Sequence, residues 1–160
     1  MSLPDRKAIK DLFEGLLGRD VSIGDAIPVV FDHPRPVVAT YVDDNFTLTA
    51  VAVMDLQLAA NAGAAIALVP KGGAEAAIED RRLPPNLFEN AAEILNVLAA
   101  PIGDSCGVHV RLSSTFAPGE SVPPQVESVA VSLGARMDVT LDITGYGSGR
   151  LAIVRVPGTH

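Results

Sequence analysis

Between Leu83 and Ala100 the chain runs LPPNLFENAAEILNVLAA, and the rest of the sequence makes sense around it. At about 100° per residue, Leu87, Ala91, Ile94, Leu95 and Leu98 fall on one stripe of a helix, the stripe that would face a core. Glu89, Glu93, Asn96 and Ala100 fall on the stripe directly opposite, with the small Ala92 next to Glu93. No base occurs between Pro84 and Pro101. Spacing alone fits an ordinary solvated face. However, two acids four residues apart repel mildly and do little for the helix itself, and the alanines leave the backbone open to close approach by another surface. Pro84 or Pro85 is tolerated in a first turn, where its missing N–H has no partner to lose. Pro101 and Gly103 are expected to end the helix.

Upstream, Asp55 is placed to cap a helix over Leu56 to Leu68, which is nearly all Ala and Leu and so is expected to be buried on most sides. Pro70 to Gly73 breaks it, and Ala74 to Arg81 is a short helical piece. Val37 to Val42 and Phe46 to Met54 read as strands joined by Asp43-Asp44-Asn45, a tight hairpin signal. Nearer the start, Pro4 to Gly18 reads as a helix with an apolar face of Ile9, Leu12, Phe13, Leu16 and Leu17, stopped by Gly18. Val21 to Phe31 is irregular and extended, and His33-Pro34-Arg35-Pro36 is a turn.

Downstream the period changes to two. Val108, Val110 and Leu112 alternate in a strand, Ala117 to Gln125 is a Pro-containing loop, and Val126 to Leu133 is expected to be a strand. Met137 to Thr144 and Arg150 to Val156 are strands joined by the Gly145–Gly149 hairpin loop, which lacks the spacing of a phosphate cradle. Each half of the chain opens with an amphipathic helix and continues into strands. The expected fold is α+β: a single two-layer domain over 1–160, with helices packed on one face of a largely antiparallel sheet.

Composition removes several classes. With 48% hydrophobic and 19% charged residues, the chain is folded and globular. A net charge of −7 argues against nucleic acid or an anionic membrane as the main partner. The single cysteine, Cys106, allows no internal disulfide, and no apolar run is long and clean enough to span a bilayer, so a cytoplasmic location is expected. No Gly-x-Ser-x-Gly elbow occurs. Cys106 and His109 are three apart but stand alone, whereas a metal site needs three or four ligands, so no metal or cofactor of the chain's own is expected. His33 in its turn and His109 in a strand pattern read as structural.

What remains is Glu93 and Asn96, with Glu89 one turn earlier. The i,i+3 spacing sets a carboxylate and an amide side by side. The carboxylate can pair with a partner's ammonium, and the amide, both donor and acceptor, can hold a water in one orientation.

With these residues in place, the sequence resembles the CheX/CheC/FliY phosphatases of bacterial chemotaxis, most of all the CheX branch. The family motif is Asp or Ser, three residues, Glu, two residues, Asn, and a proline some twenty residues on. Here Glu89 stands where the family has Asp or Ser, followed by Glu93, Asn96 and, at about the right distance, Pro118. The element order, including the break at Lys71-Gly72-Gly73, follows the family over nearly the whole chain. The resemblance implies that Asn96 positions a water for attack on the phospho-aspartate of a CheY-like response regulator, that Glu93 docks a regulator lysine, and that Glu89, Ala92 and Ala100 line the contact. Mg²⁺ would be carried by the partner. Two-site relatives repeat the motif on the first helix. Here Glu14 is followed three residues later by Leu17, so one site is implied. A non-catalytic docking domain of the same fold is the alternative, and edge-strand pairing to a homodimer is a further implication.

Overall fold

A computed structural model describes residues 3–31 and 34–157. The chain runs α1 (Arg6–Leu17), β1 (Val21–Asp25), β2 (Val37–Val42), β3 (Leu48–Met54), α2 (Leu56–Ile66), α3 (Lys71–Asp80), α4 (Pro85–Val97), α5 (Ala99–Cys106), β4 (Arg111–Phe116), α6 (Pro124–Ala130), β5 (Arg136–Ile143) and β6 (Gly147–Arg155). Local signals set most of these boundaries. The Asp5 carboxylate accepts from the Ala8 N–H at the start of α1, and Gly18 closes that helix in the left-handed conformation. Asp55 caps α2 in the same way through the Leu58 N–H. Asp43 accepts from the N–H groups of Asn45 and Thr47, which closes the β2–β3 hairpin. His33, within the turn read at His33–Pro36, and His160 lie outside the described residues.

The six strands make one antiparallel sheet in the order β1–β5–β6–β3–β2–β4. Exchanging β1 with β4, β2 with β5 and β3 with β6 returns the same order reversed. The echo between the two halves is therefore a pseudo-twofold, with β3 and β6 paired at its centre and Ala52 opposite Ile153. The fold is α+β, as expected.

Strand alternation divides the core. Val37, Ala39, Tyr41, Ala50, Ala52, Met54, Leu151 and Ile153 meet the helices on one face. Val38, Val51, Val53 and Ala152 point to the other, which α6 covers with Val126 and Ala130. This corrects the strand expected over Val126 to Leu133. Pro124 fixes φ for a first helical turn that needs no N–H from it, and Val126 and Ala130 are spaced four apart to bury one helical face. The valines read as strand formers because β-propensity mostly records packing on a half-buried surface, and here the packing is helix on sheet.

Two smaller expectations also shift. The helix expected from Ala74 begins at Lys71, with Gly72 and Gly73 inside its first turn. The strand read from Val108 begins at Arg111, because Gly107 to Val110 form the turn out of α5. As expected, α2 is buried from Leu58 to Ala65 along its whole length.

Candidate functional site

The apolar stripe of α4 is where its periodicity put it. Leu87, Ala91, Ile94, Leu95 and Leu98 are all buried, and each large aliphatic there contributes roughly 1.5–3 kcal/mol relative to exposure. Glu89, Glu93, Asn96 and Ala100 are exposed, and Ala92 is half-buried. The fold therefore brings the whole expected set, Glu89, Ala92, Glu93, Asn96 and Ala100, onto one outward surface.

Three contacts hold that surface still. Gly63 of α2 lies so close to α4 that a Cβ there would stand 2.7 Å from the Leu87 carbonyl oxygen. Asn90 donates from Nδ2 to the Gly63 carbonyl at 2.9 Å. Tyr41 of β2, fully buried, donates its hydroxyl to the Leu95 carbonyl at 2.6 Å. Neither Asn90 nor Tyr41 was singled out from sequence. An amide inside a helix and a tyrosine inside a strand carry no spacing that marks a contact between them and a distant backbone group.

The end of the central helix differs from expectation. Pro101 does not stop it. The helical ladder is interrupted at Leu98 and resumes as α5 through Cys106, where Gly107 closes it in the left-handed conformation. The proline explains the position of the break. It has no N–H to give the Val97 carbonyl, and its ring crowds that carbonyl one turn back. Placed within the first turn of α5, it costs that helix nothing. Leu98 still donates to Ile94, and Ile102 to Leu98. The Leu95 carbonyl, facing the sheet beside the interruption, takes the Tyr41 hydroxyl.

Tyr41→Phe should therefore destabilise the fold by about 1–3 kcal/mol, because it leaves a buried carbonyl without its donor. Urea unfolding at neutral pH measures this. Burial also pushes the Tyr41 phenol pKa up. The unfolded phenol releases its proton near pH 10 while the folded one keeps it, so the unfolded state binds fewer protons above that pH and stability falls as pH rises. This contribution is fully present below about pH 10, and the alkaline loss should be smaller in Tyr41→Phe than in the wild type.

Around the motif, Glu93 and Asn96 make no side-chain hydrogen bond or ion pair among the described residues, so their polar atoms face water. The corresponding face of α1 is different. The Glu14 carboxylate accepts from the Val21 N–H at 3.0 Å and from Lys10 Nζ at 2.9 Å. The Val21 hydrogen bond, with help from Lys10, holds its pKa below the usual carboxylate range. The Glu14 carboxylate is thus engaged within the chain, unlike that of Glu93.

Cys106 is buried against the core, while His109 is exposed and pairs through Nδ1 with Asp44 Oδ1 at 2.9 Å, so the two do not form a dyad. Among the described residues no group of three or more His, Cys, Asp or Glu side chains could hold a metal, and no helix is long and apolar enough to cross a membrane. Pro118, matched to the motif by distance, lies beside Arg81, Arg82 and Leu83. That is the far end of α4, about 20 Å along the helix axis from Asn96. Beyond Asn96, α5 extends the exposed face. Ala99, Ala100, Gly103, Asp104, Val108 and His109 border a groove of about 460 Å³ there.

The sequence matches no protein-family model and no curated protein. Solved structures do match its fold. The FliM middle domain from H. pylori superposes with a TM-score of 0.60 at 10% identity, covering 93% of this chain and 83% of that one. Thermotoga maritima FliY gives 0.55 at 16% identity, covering 91% and 80%. The CheX–CheY–BeF3–Mg²⁺ complex from Borrelia burgdorferi gives 0.52 at 12% identity, covering 93% of each chain. The chain has the fold common to CheX, FliY and the FliM middle domain.

Proposed function

We propose that this chain removes phosphate from the phospho-aspartate of a CheY-like receiver domain. The observation that carries this is the pair Glu93 and Asn96, exposed, without side-chain partners among the described residues, and side by side on a helix that three packing contacts fix in place. Asn96 would hold a water with its amide, in line with the phosphorus. The water oxygen forms the new P–O bond, the bond from phosphorus to the aspartyl oxygen breaks, and the aspartate leaves as a carboxylate. Both water protons stay with the released phosphate. Neither residue needs to be a strong base, because an acyl phosphate is already activated, and most of the effect comes from placing the water. Glu93 would pair with a receiver lysine, and Glu89, Ala92 and Ala100 would line the contact. The Mg²⁺ belongs to the receiver in this scheme, and such a partner would place the chain in the cytoplasm. The fold likeness to a CheX found in a complex with CheY and Mg²⁺ supports the choice of partner.

A second reading, a docking domain without catalysis, draws on the fold match to the FliM middle domain, whose TM-score of 0.60 exceeds the 0.52 of the CheX complex. Under either reading Glu93→Arg should abolish receiver binding, measured by titration calorimetry. Only under the first does Asn96→Ala remove activity. The test follows phosphate loss from candidate receivers of the same organism, with Mg²⁺ present, using wild type and Asn96→Ala. No acceleration by wild type on any receiver would overturn the phosphatase reading. The outer edge of β4, which among the described residues pairs only with β2, is where a second copy would add to the sheet in a homodimer.

A further inference from the structure

At the opposite end of α4 from Asn96, Arg35, Arg81 and Arg82 line a pocket of about 290 Å³ between Pro34 and Pro118. The chain as a whole carries −7, yet this pocket is bordered by three arginines and by no carboxylate among the described residues. Arg35 is oriented by Glu127, whose Oε1 accepts from its Nη2 at 2.6 Å. Arg81 and Arg82 make no side-chain hydrogen bond or ion pair among the described residues, although Glu79 and Asp80 directly precede them. Asp80 borders the neighbouring depression on the other side of Arg82.

The backbone adds a second observation. Arg81 closes α3 in the left-handed conformation, at φ 53°, a place that glycine occupies without steric cost. The chain instead keeps a long cation there, so that two adjacent arginines border the pocket. Leu83, also in the lining, leads into the N-terminus of α4, whose partial positive charge has the same sign. Pro34 and Pro118 stiffen two of the connecting segments that form the walls.

We propose that this pocket binds a small phosphate-bearing anion. Planar guanidiniums match phosphoryl oxygens two at a time; Arg81 and Arg82 have no side-chain partner among the described residues and Arg35 is shared with Glu127, and a cavity of this size suits one or two phosphoryl groups rather than a large ligand. The ligand source is either a free polyphosphate or the phosphate tail of a nucleotide.

The test titrates pyrophosphate, and separately ADP, into the full chain with NaCl holding ionic strength constant, and follows backbone amide shifts by NMR. The expected result is saturable shifts at Arg82, Leu83 and Gly119. Arg81→Gly and Arg82→Gln should each weaken binding about tenfold. Arg81→Gly should also keep or raise the unfolding midpoint, so its loss of binding cannot be a folding defect. Tighter binding of ADP than of pyrophosphate would assign the site to nucleotides, and the reverse to polyphosphate. Asn96→Ala should bind both as wild type does, which separates this site from the phosphatase reading. Shifts that NaCl alone reproduces, or Arg variants that bind as tightly as wild type, would overturn the proposal.

Discussion

Under the proposed phosphatase reading, Asn96→Ala should slow receiver dephosphorylation by about a hundredfold, the scale set by a misplaced reacting group. It should change stability by no more than about 0.5 kcal/mol, because Asn96 is exposed and makes no contact that the fold needs. Receiver affinity should barely change, since the same reading puts the docking charge on Glu93. The effect therefore falls on kcat, whereas Glu93→Arg acts on KM. Two further variants sharpen the point. Asn96→Gln keeps the amide but carries it one methylene outward, so it should recover only part of the rate. Asn96→Asp keeps an acceptor, loses the donor and sets a negative charge against the phosphoryl group, so it should recover none. The measurement is single-turnover decay of phosphorylated receiver at saturating chain concentration. Wild-type decay with Asn96→Ala would remove the water-positioning role, and a parallel loss of affinity would make Asn96 a docking residue.

Gly149→Ala should cost about 3 kcal/mol or more, the upper range for overpacking a rigid site. A Cβ at this position of β6 would stand 2.3 Å from the Leu58 amide nitrogen and 2.4 Å from the Leu58 Cα. Those atoms are backbone in the first turn of α2, so no side chain can swing away and the helix itself must lift off the sheet. The lift would pass to the site, because α2 holds α4 through Gly63 against Leu87 and through the Asn90 hydrogen bond. Gly15→Ala is the control. It lies in α1 with nothing near its would-be Cβ, and it should stabilise by roughly 0.5–1 kcal/mol, since glycine is the more costly residue inside a helix. Urea midpoints for both variants give the comparison. A loss below about 1 kcal/mol in Gly149→Ala would show that α2 tolerates a small shift without general overpacking.

Much of the framework was legible in the residues themselves. Asp5 and Asp55 mark helix starts, Gly18 marks a stop, and Asp43-Asp44-Asn45 marks a hairpin, because each acts through atoms within a few residues of itself. The two faces of α4 were equally legible, since a period of 3.6 fixes which side chains share a side. That is why Glu93 and Asn96 could be paired before any packing was known.

The errors have a common cause. Local preference alone favours a strand over Val126 to Leu133 and a helix end at Pro101, and in both places the outcome depends on what lies across from the segment. The uncovered second face of the sheet drew Val126 and Ala130 into a helix. Pro101 interrupts the ladder without ending the helix, and beside the interruption the Leu95 carbonyl accepts from Tyr41, 54 residues away in sequence.

The sequence by itself determined the caps, the turns and the two-sidedness of the central helix, because those depend on dihedral preference and periodicity within a few residues. Only the tertiary structure decided how far that helix runs, which sheet face each later segment covers, and that Arg35 joins Arg81 and Arg82 around one pocket. Those outcomes depend on which distant backbone and side-chain groups can approach closely enough to bond or pack, and no local pattern encodes that.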